Sequence, residues 1–406
     1  MIERTPIKKS STSVSCRKTK GEKSSLHRML VELLEKADVT VNGQRPWDIH
    51  LNGPKVPERV FSMGSLGLGE AYMDGHWESE HLDEFFTHIL SAHLDRKVQP
   101  LRLVFHALRT RLLNLQSRRR AWKVGEVHYD LGNDFYAAML DPRMTYTCGY
   151  WENASNLAEA QDAKLDLICR KLELKPGMRV LDIGCGWGSF MAYAAEHYGV
   201  ECVGITISKE QTAWAQQRYA GLPLEFRLQD YRTVNERFDR IASIGMFEHV
   251  GRKNYRTYMN MANRCLADDG LFLLHTIGKN QRDSIPDAWI DKYIFPNGDL
   301  PSMGQMSDAM DGLFVVEDIH NFGSDYDKTL MAWHANFEAA WPRFMDQLGE
   351  RFHRMWSYYL LSCAGAFRSR DIQLWQWVLS KEGVSGGYRR PGNTAELTGA
   401  ANLSEQ

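Results

Sequence analysis

Val180-Leu181-Asp182-Ile183-Gly184-Cys185-Gly186-Trp187-Gly188 is an apolar run carrying one acid, then three glycines at alternate positions, and a helical pattern follows over residues 190–198. The stretch predicts a buried strand, a sharp turn and a helix. Its glycines let the backbone turn and approach a ligand at the carboxyl end of the strand, where open α/β sheets bind ligands. The spacing is G-x-G-x-G, not the G-x-G-x-x-G of dinucleotide enzymes. An acid two residues before the first glycine would repel a pyrophosphate and suits a positive amino group. S-adenosylmethionine (SAM), with an ammonium and a sulfonium, meets that requirement, so Asp182, Gly184, Cys185, Gly186, Trp187 and Gly188 are expected to hold it. A plain strand-helix turn would use the same glycines. Gln229-Asp230-Tyr231 favours the cofactor, because an acid-aromatic pair can bracket an adenine through its amino group and ring face. The second strand ends Gly204-Ile205-Thr206, without the acid often used for the ribose hydroxyls, so Thr206 and Gln211 must substitute.

Outward from this motif the chain alternates short β-rich runs at residues 179–183, 202–205, 240–244 and 271–274 with helical stretches, which implies βαβ units and a parallel sheet. Upstream, Leu26, Met29, Leu30, Leu33, Leu34 and Leu82, Phe85, Phe86, Ile89, Leu90 recur at helical spacing, with a turn signal at Asn52-Gly53-Pro54. Downstream, one or two long helices are expected over residues 329–370, broken near Trp341-Pro342, then a late strand over 371–380. The predicted organisation is a disordered basic tail (1–24), a helical lipid-engaging domain (25–123), an α/β catalytic domain (124–385) and a flexible tail (386–406).

With 406 residues, 25% charged and 43% apolar, the chain has ordinary globular composition and room for two or three domains. Lys plus Arg is 49 against 51 acids, so there is no global field to attract nucleic acid. Seven cysteines without a CxxC pair suit reduced thiols and exclude zinc-finger spacing. The tail lacks an apolar segment of signal-peptide type, and no window reaches 18 apolar residues. Residues 101–123 hold seven basic residues, Arg118, Arg119 and Arg120 among them, and no acid, interleaved with apolar positions. Such a helix either lies on an anionic bilayer or turns its apolar side into the core.

Phe247-Glu248-His249-Val250, His275-Thr276-Ile277-Gly278, Tyr146-Thr147-Cys148, the run from His128-Tyr129-Asp130 through Asn133-Asp134-Phe135-Tyr136, and Gly64-Ser65-Leu66-Gly67-Leu68-Gly69-Glu70 resemble, with the glycine loop, the cyclopropane-fatty-acyl-phospholipid synthases. The resemblance covers residues 26–380. It implies a class I SAM-dependent methyltransferase (Rossmann-like) domain preceded by a small, mainly helical domain. It further implies methyl transfer from SAM to a cis double bond of a phospholipid acyl chain, with ring closure as a proton is lost to a bound bicarbonate. Glu248, His275 and Tyr326 would hold that ion through side chains, Cys148 and Ile277 mainly through backbone, and Tyr146 and Thr147 would join the cofactor residues. A homodimer, cytoplasmic and peripheral on the inner face of the membrane, follows from the same likeness. Taken alone, Glu248-His249 also suits a helix start and His275 a satisfied core imidazole. The rivals are a fatty-acyl methyltransferase that quenches its cation with hydride or water, and an inactive lipid-binding protein.

Overall fold

The computed structural model describes residues 20–53, 55–94, 131–282 and 286–392, with side chains from residue 25 onward. The basic stretch 101–123 and His128, Tyr129 and Asp130 lie outside the described residues, as does 393–406.

The first elements are α1 (Lys20–Glu35), β1 (His50–Leu51), α2 (Val56–Met63), α3 (Ser65–Met73), β2 (Trp77–Glu78) and α4 (Leu82–Ser91). In α4, Leu82, Phe85, Phe86 and Ile89 form one buried stripe, while Asp83 and Glu84 sit in the first turn, where the helix dipole favours acids. α1 begins at Lys20, inside the expected tail. Next come α5 (Asn133–Met139) and α6 (Leu157–Lys171), the latter capped by the Asn156 side chain, which accepts from the Glu159 amide at 3.0 Å.

The α/β part follows as β3 (Arg179–Ile183), α7 (Ser189–Tyr198), β4 (Glu201–Thr206), α8 (Lys209–Arg218), β5 (Leu224–Leu228), β6 (Phe238–Ile244), α9 (Tyr255–Cys265), β7 (Leu266–Lys279), α10 (Ala288–Tyr293), α11 (Met303–Met310), β8 (Val315–Asn321), α12 (Ser324–Ala340), α13 (Met345–Leu348), α14 (Glu350–Arg368) and β9 (Ile372–Ser380). Seven strands pair in the order β5-β4-β3-β6-β7-β9-β8, parallel except for β9, which is antiparallel to both neighbours. The order reverses at β3, so the crevice beyond the carboxyl ends of β3 and β6 is where such a sheet binds its ligand. The four expected strands, the helix break at Trp341–Arg343 and the late strand are all present. β7 starts five residues before its apolar run, beyond an irregularity where Phe238 pairs with Leu266 and Arg240 with Leu271. Residues 386–392, expected to be loose, are tied down: Arg390 pairs with Asp318, and the Gly392 carbonyl accepts from Arg170 at 2.7 Å.

One apolar cluster joins the two halves, running from Leu30, Phe85, Phe86 and Leu94 to Phe135, Trp333, Trp356 and Tyr358. α14 lies tightly on α4 at Gly365, where an added Cβ would come within 2.6 Å of the Asp83 carbonyl oxygen and 2.7 Å of the Phe86 Cβ. Arg368 closes the junction, bonding Asp83 at 2.6 Å and Asp327 at 2.9 Å.

Candidate active site

β3 ends in a loop that requires glycine for two different reasons. Gly184 and Gly188 have φ of 85° and 85°, and a Cβ on either would come within 2.6 Å of Met246 or Phe226. Gly186, at φ 54°, would meet nothing within 4 Å, so its backbone stands open. Trp187 crosses to α5, its Nε1 donating to Asn133 Oδ1 at 2.9 Å, which accounts for an Asn in the Asn133-Asp134 motif.

Beneath the loop the Asp182 carboxyl is 2% exposed and its Oδ1 has no partner. Burial raises its pKa to about 7, with nearby Lys164 pulling the other way. A buried carboxylate short of a cation is the feature a cationic ligand would complete. Thr147 accepts from Lys164 Nζ at 2.8 Å, and the Tyr146 hydroxyl shares a hydrogen bond with that of Tyr359 at 2.9 Å. Gln211 lines the same cavity, its side-chain oxygen accepting from the Thr206 hydroxyl at 3.2 Å, while Thr206 itself lies behind it. Asp230 and Tyr231 stand further back. The Asp230 carboxylate accepts from Arg232 at 2.8 Å, and Tyr231 packs on Tyr258 with ring centroids 5.0 Å apart.

Past β6 the chain makes a tight turn over Phe247–His249 that carries Glu248. Glu248 Oε1 accepts from the Ile277 amide at 2.7 Å, so that amide is engaged by the carboxylate, while Oε2 is buried without a partner. Burial lifts this carboxyl to about 7. His275, on β7, is 1% exposed and held neutral by burial and by the positive fields of Lys164 and Lys171. Gln376 Nε2 lies 3.2 Å from its Nδ1, and Nε2 is unpartnered. Tyr326, on α12, stacks on Phe367, its phenol kept protonated by burial with Cys148, Glu248 and Tyr146 adding to the effect. The Cys148 thiol is fully buried, donates to the Gly149 carbonyl at 3.1 Å and is pushed far up by burial, which leaves no thiolate for nucleophilic chemistry.

A cavity of about 650 Å³ runs past the glycine loop, Asp182, Glu248 and Tyr326. Its lining includes Asp182, Gly186 and Gln211 around the glycine loop, Glu248, Ile277 and Tyr326, and the apolar Leu30, Val60, Phe86 and Ile89 of α1, α2 and α4. His275, Cys148, Asp230 and Tyr231 are not among its lining residues. Reading the sequence alone overlooked Lys164, Tyr359 and Gln376. Lys164 had a signal, since it falls on the apolar face of α6 between Ala160 and Ile168, whereas the other two meet the site only through distant pairing.

Sheet order, glycine loop and buried carboxylate define a SAM-dependent methyltransferase, and the open backbone at Gly186 with the uncompensated Asp182 fits that cofactor. Residues 116–377 match the family described as mycolic acid cyclopropane synthetase. The chain is 55% identical over 364 residues to the cyclopropane-fatty-acyl-phospholipid synthase of Escherichia coli K12, covering 89% of this chain and 95% of that one. A solved cyclopropane synthase from Mycobacterium tuberculosis superposes with a TM-score of 0.61 at 33% identity, over 64% of this chain and 98% of its own. A mycolic acid cyclopropane synthase complexed with SAH and CTAB gives the same TM-score of 0.61 at 36% identity, over 64% and 98% of the two chains. The chain therefore belongs to the cyclopropane synthetase family.

Proposed function

We propose that the protein transfers a methyl from SAM to the cis double bond of unsaturated phospholipid acyl chains and closes a cyclopropane ring. The observation that carries this is one cavity whose lining is polar at the glycine loop and apolar along α1, α2 and α4. The apolar arm suits an acyl chain, and exclusion of water there would protect a cation from capture. SAM supplies the electrophilic methyl when bound.

An alkene is a poor nucleophile, so positioning and stabilisation of the resulting lipid cation must lower the barrier. Tyr326 and Phe295 line the cavity, and aromatic rings there would favour positive charge without reacting with it. Ring closure then requires one proton to leave the transferred carbon. Glu248 Oε2 and His275 Nε2 are both buried and unpartnered, and with the Tyr326 hydroxyl they would hold a small anion such as bicarbonate, which would supply a weak base there. Neutral His275 donates through Nε2 when Gln376 donates to Nδ1. Glu248, near 7, accepts a proton at neutral pH. Cys148 would add a backbone group beside this ion, whereas the Ile277 amide, bonded to Glu248 Oε1, would act by orienting that carboxylate.

The N-terminal part (25–123) engages the lipid, and the basic residues of 101–123, outside the described residues, contact an anionic membrane surface. The enzyme acts as a homodimer on the cytoplasmic face of the membrane, and no described helix is long and apolar enough to cross it.

The test is incubation with SAM and vesicles of cis-unsaturated phospholipid, read by mass spectrometry and proton NMR. One added methylene per converted chain, with olefinic signals replaced by cyclopropyl ones, is expected. A methylene-alkene product would overturn the base geometry, and no product with SAM bound would overturn the acceptor.

A further inference from the structure

Lys164 lies on the buried face of α6, beside Ala160, Gln161, Leu165 and Ile168. Its side chain is 0% exposed, yet it lines the cavity with Asp182, Gly184 and Thr147. A buried ammonium is costly unless its charge is met. Among the described residues its Nζ has one hydrogen-bond partner, the neutral Thr147 hydroxyl at 2.8 Å. Asp141, Cys148 and Asp182 act on it only through their fields. Asp141 is occupied elsewhere, accepting from the Thr145 and Arg143 amides at 2.7 and 2.9 Å. Asp182, which lines the same cavity, leaves Oδ1 unbonded. Two buried groups of opposite sign thus border one cavity at the end of β3 without bonding each other.

That arrangement is complementary to an α-amino acid zwitterion, which carries an ammonium and a carboxylate on one carbon. We infer that Lys164 is a cofactor-binding residue that receives the carboxylate of the methionine portion of SAM while Asp182 takes its ammonium. Charge-assisted hydrogen bonds of this kind fix orientation as well as affinity. Thr147 holds the Lys164 amine in place, and Thr147 is itself fixed by close packing against Gly245, where an added Cβ would come within 2.6 Å of Thr147 Cγ2. Desolvation lowers the Lys164 amine to about 8, and an anion beside it would favour the charged form. The inference rests on SAM as the cofactor and is independent of the lipid acceptor and the bicarbonate reading.

The test compares SAM with decarboxylated SAM, which keeps the sulfonium, ammonium and adenosine and lacks only the carboxylate, by calorimetric titration of the full chain. Wild type should bind decarboxylated SAM about 10- to 100-fold more weakly, the range for a lost hydrogen bond to a charged group. Lys164→Met should weaken SAM by a similar factor and leave decarboxylated SAM within about twofold, since the deleted charge then has no counterpart. Lys164→Gln, which keeps a donor for Thr147, should show the same selectivity. Equal loss for both ligands in either variant would make Lys164 structural and overturn the inference. So would wild type binding the two ligands equally, a comparison that needs no variant to fold.

Discussion

Asp182→Asn is the perturbation whose consequences the structure defines most closely. Without ligand, burial holds the Asp182 carboxyl at about 7, so it is half protonated at neutral pH. An ammonium beside Oδ1 favours the ionised form, and SAM binding below that pH must therefore expel a proton. By mass action, apparent affinity should fall ~10-fold at pH 6 and ~100-fold at pH 5 relative to the plateau above the pKa. Lys164, at about 8, must stay charged, so affinity should fall again on the alkaline side and peak between the two values. Asp182→Asn should weaken SAM binding at pH 8 by about 10- to 100-fold, the cost of losing a charged hydrogen-bond acceptor, and should flatten the acid limb. Calorimetry in two buffers of different ionisation enthalpy counts the protons directly. Wild type should release about half a proton at pH 7 from this group, and the Asn variant should lose that release. Glu248 has a similar value in the same cavity, so Glu248→Gln serves as control and should keep it. Wild-type affinity that is flat between pH 5.5 and 8, or an Asn variant with undiminished release, would refute the assignment of Asp182 to the ammonium.

Glu248→Gln can still accept from the Ile277 amide but cannot take a proton, so kcat should drop ~10²- to 10⁴-fold while SAM affinity stays within about twofold, as kinetics paired with calorimetry would show. Gly365→Ala forces a Cβ against the Asp83 carbonyl and should cost ~1–3 kcal/mol of stability by overpacking, measured by denaturant unfolding; an unchanged midpoint would contradict the α4–α14 packing. Cys148→Ser should lower kcat less than about tenfold, and native protein at pH 8 should resist alkylation at Cys148, because burial keeps that thiol protonated. Asp182 and Glu248 both have folded-state values raised above the unfolded carboxylate range, so their contribution to stability is complete below that range and is lost as pH rises through 7. SAM restores a counter-charge to Asp182, and its thermal shift should be larger at pH 8 than at pH 6, by scanning calorimetry.

The glycine loop was legible in the sequence because its cause is local. An apolar strand, an acid and glycines at alternate positions leave little freedom, and both the positive φ values and the buried Asp182 follow from it. The helical stripe of α4 and the break at Trp341 were legible for the same reason. β8 was not, since Glu317, Asp318, His320 and Asn321 interrupt any apolar alternation on a strand that closes the sheet edge. The partnership of His275 with Gln376 depends on β7 and β9 lying side by side, which residue spacing does not reveal. Asp230 reads as a free acid in the sequence and is engaged by Arg232, two residues away, in the fold. Lys164 shows the limit best: its position on an apolar helix face was visible, but only the neighbouring strand ends reveal the site it faces.

The proposed function requires one cavity to carry the acyl chain from α1, α2 and α4 to the glycine loop. A crystal structure with S-adenosylhomocysteine and a cis-unsaturated phospholipid tests it most directly. The double bond should lie between the cofactor sulfur and Glu248 and Tyr326, with the tail running past Leu30, Val60 and Phe86. A chain bound outside this cavity, or entering it with the double bond remote from Glu248, would contradict it.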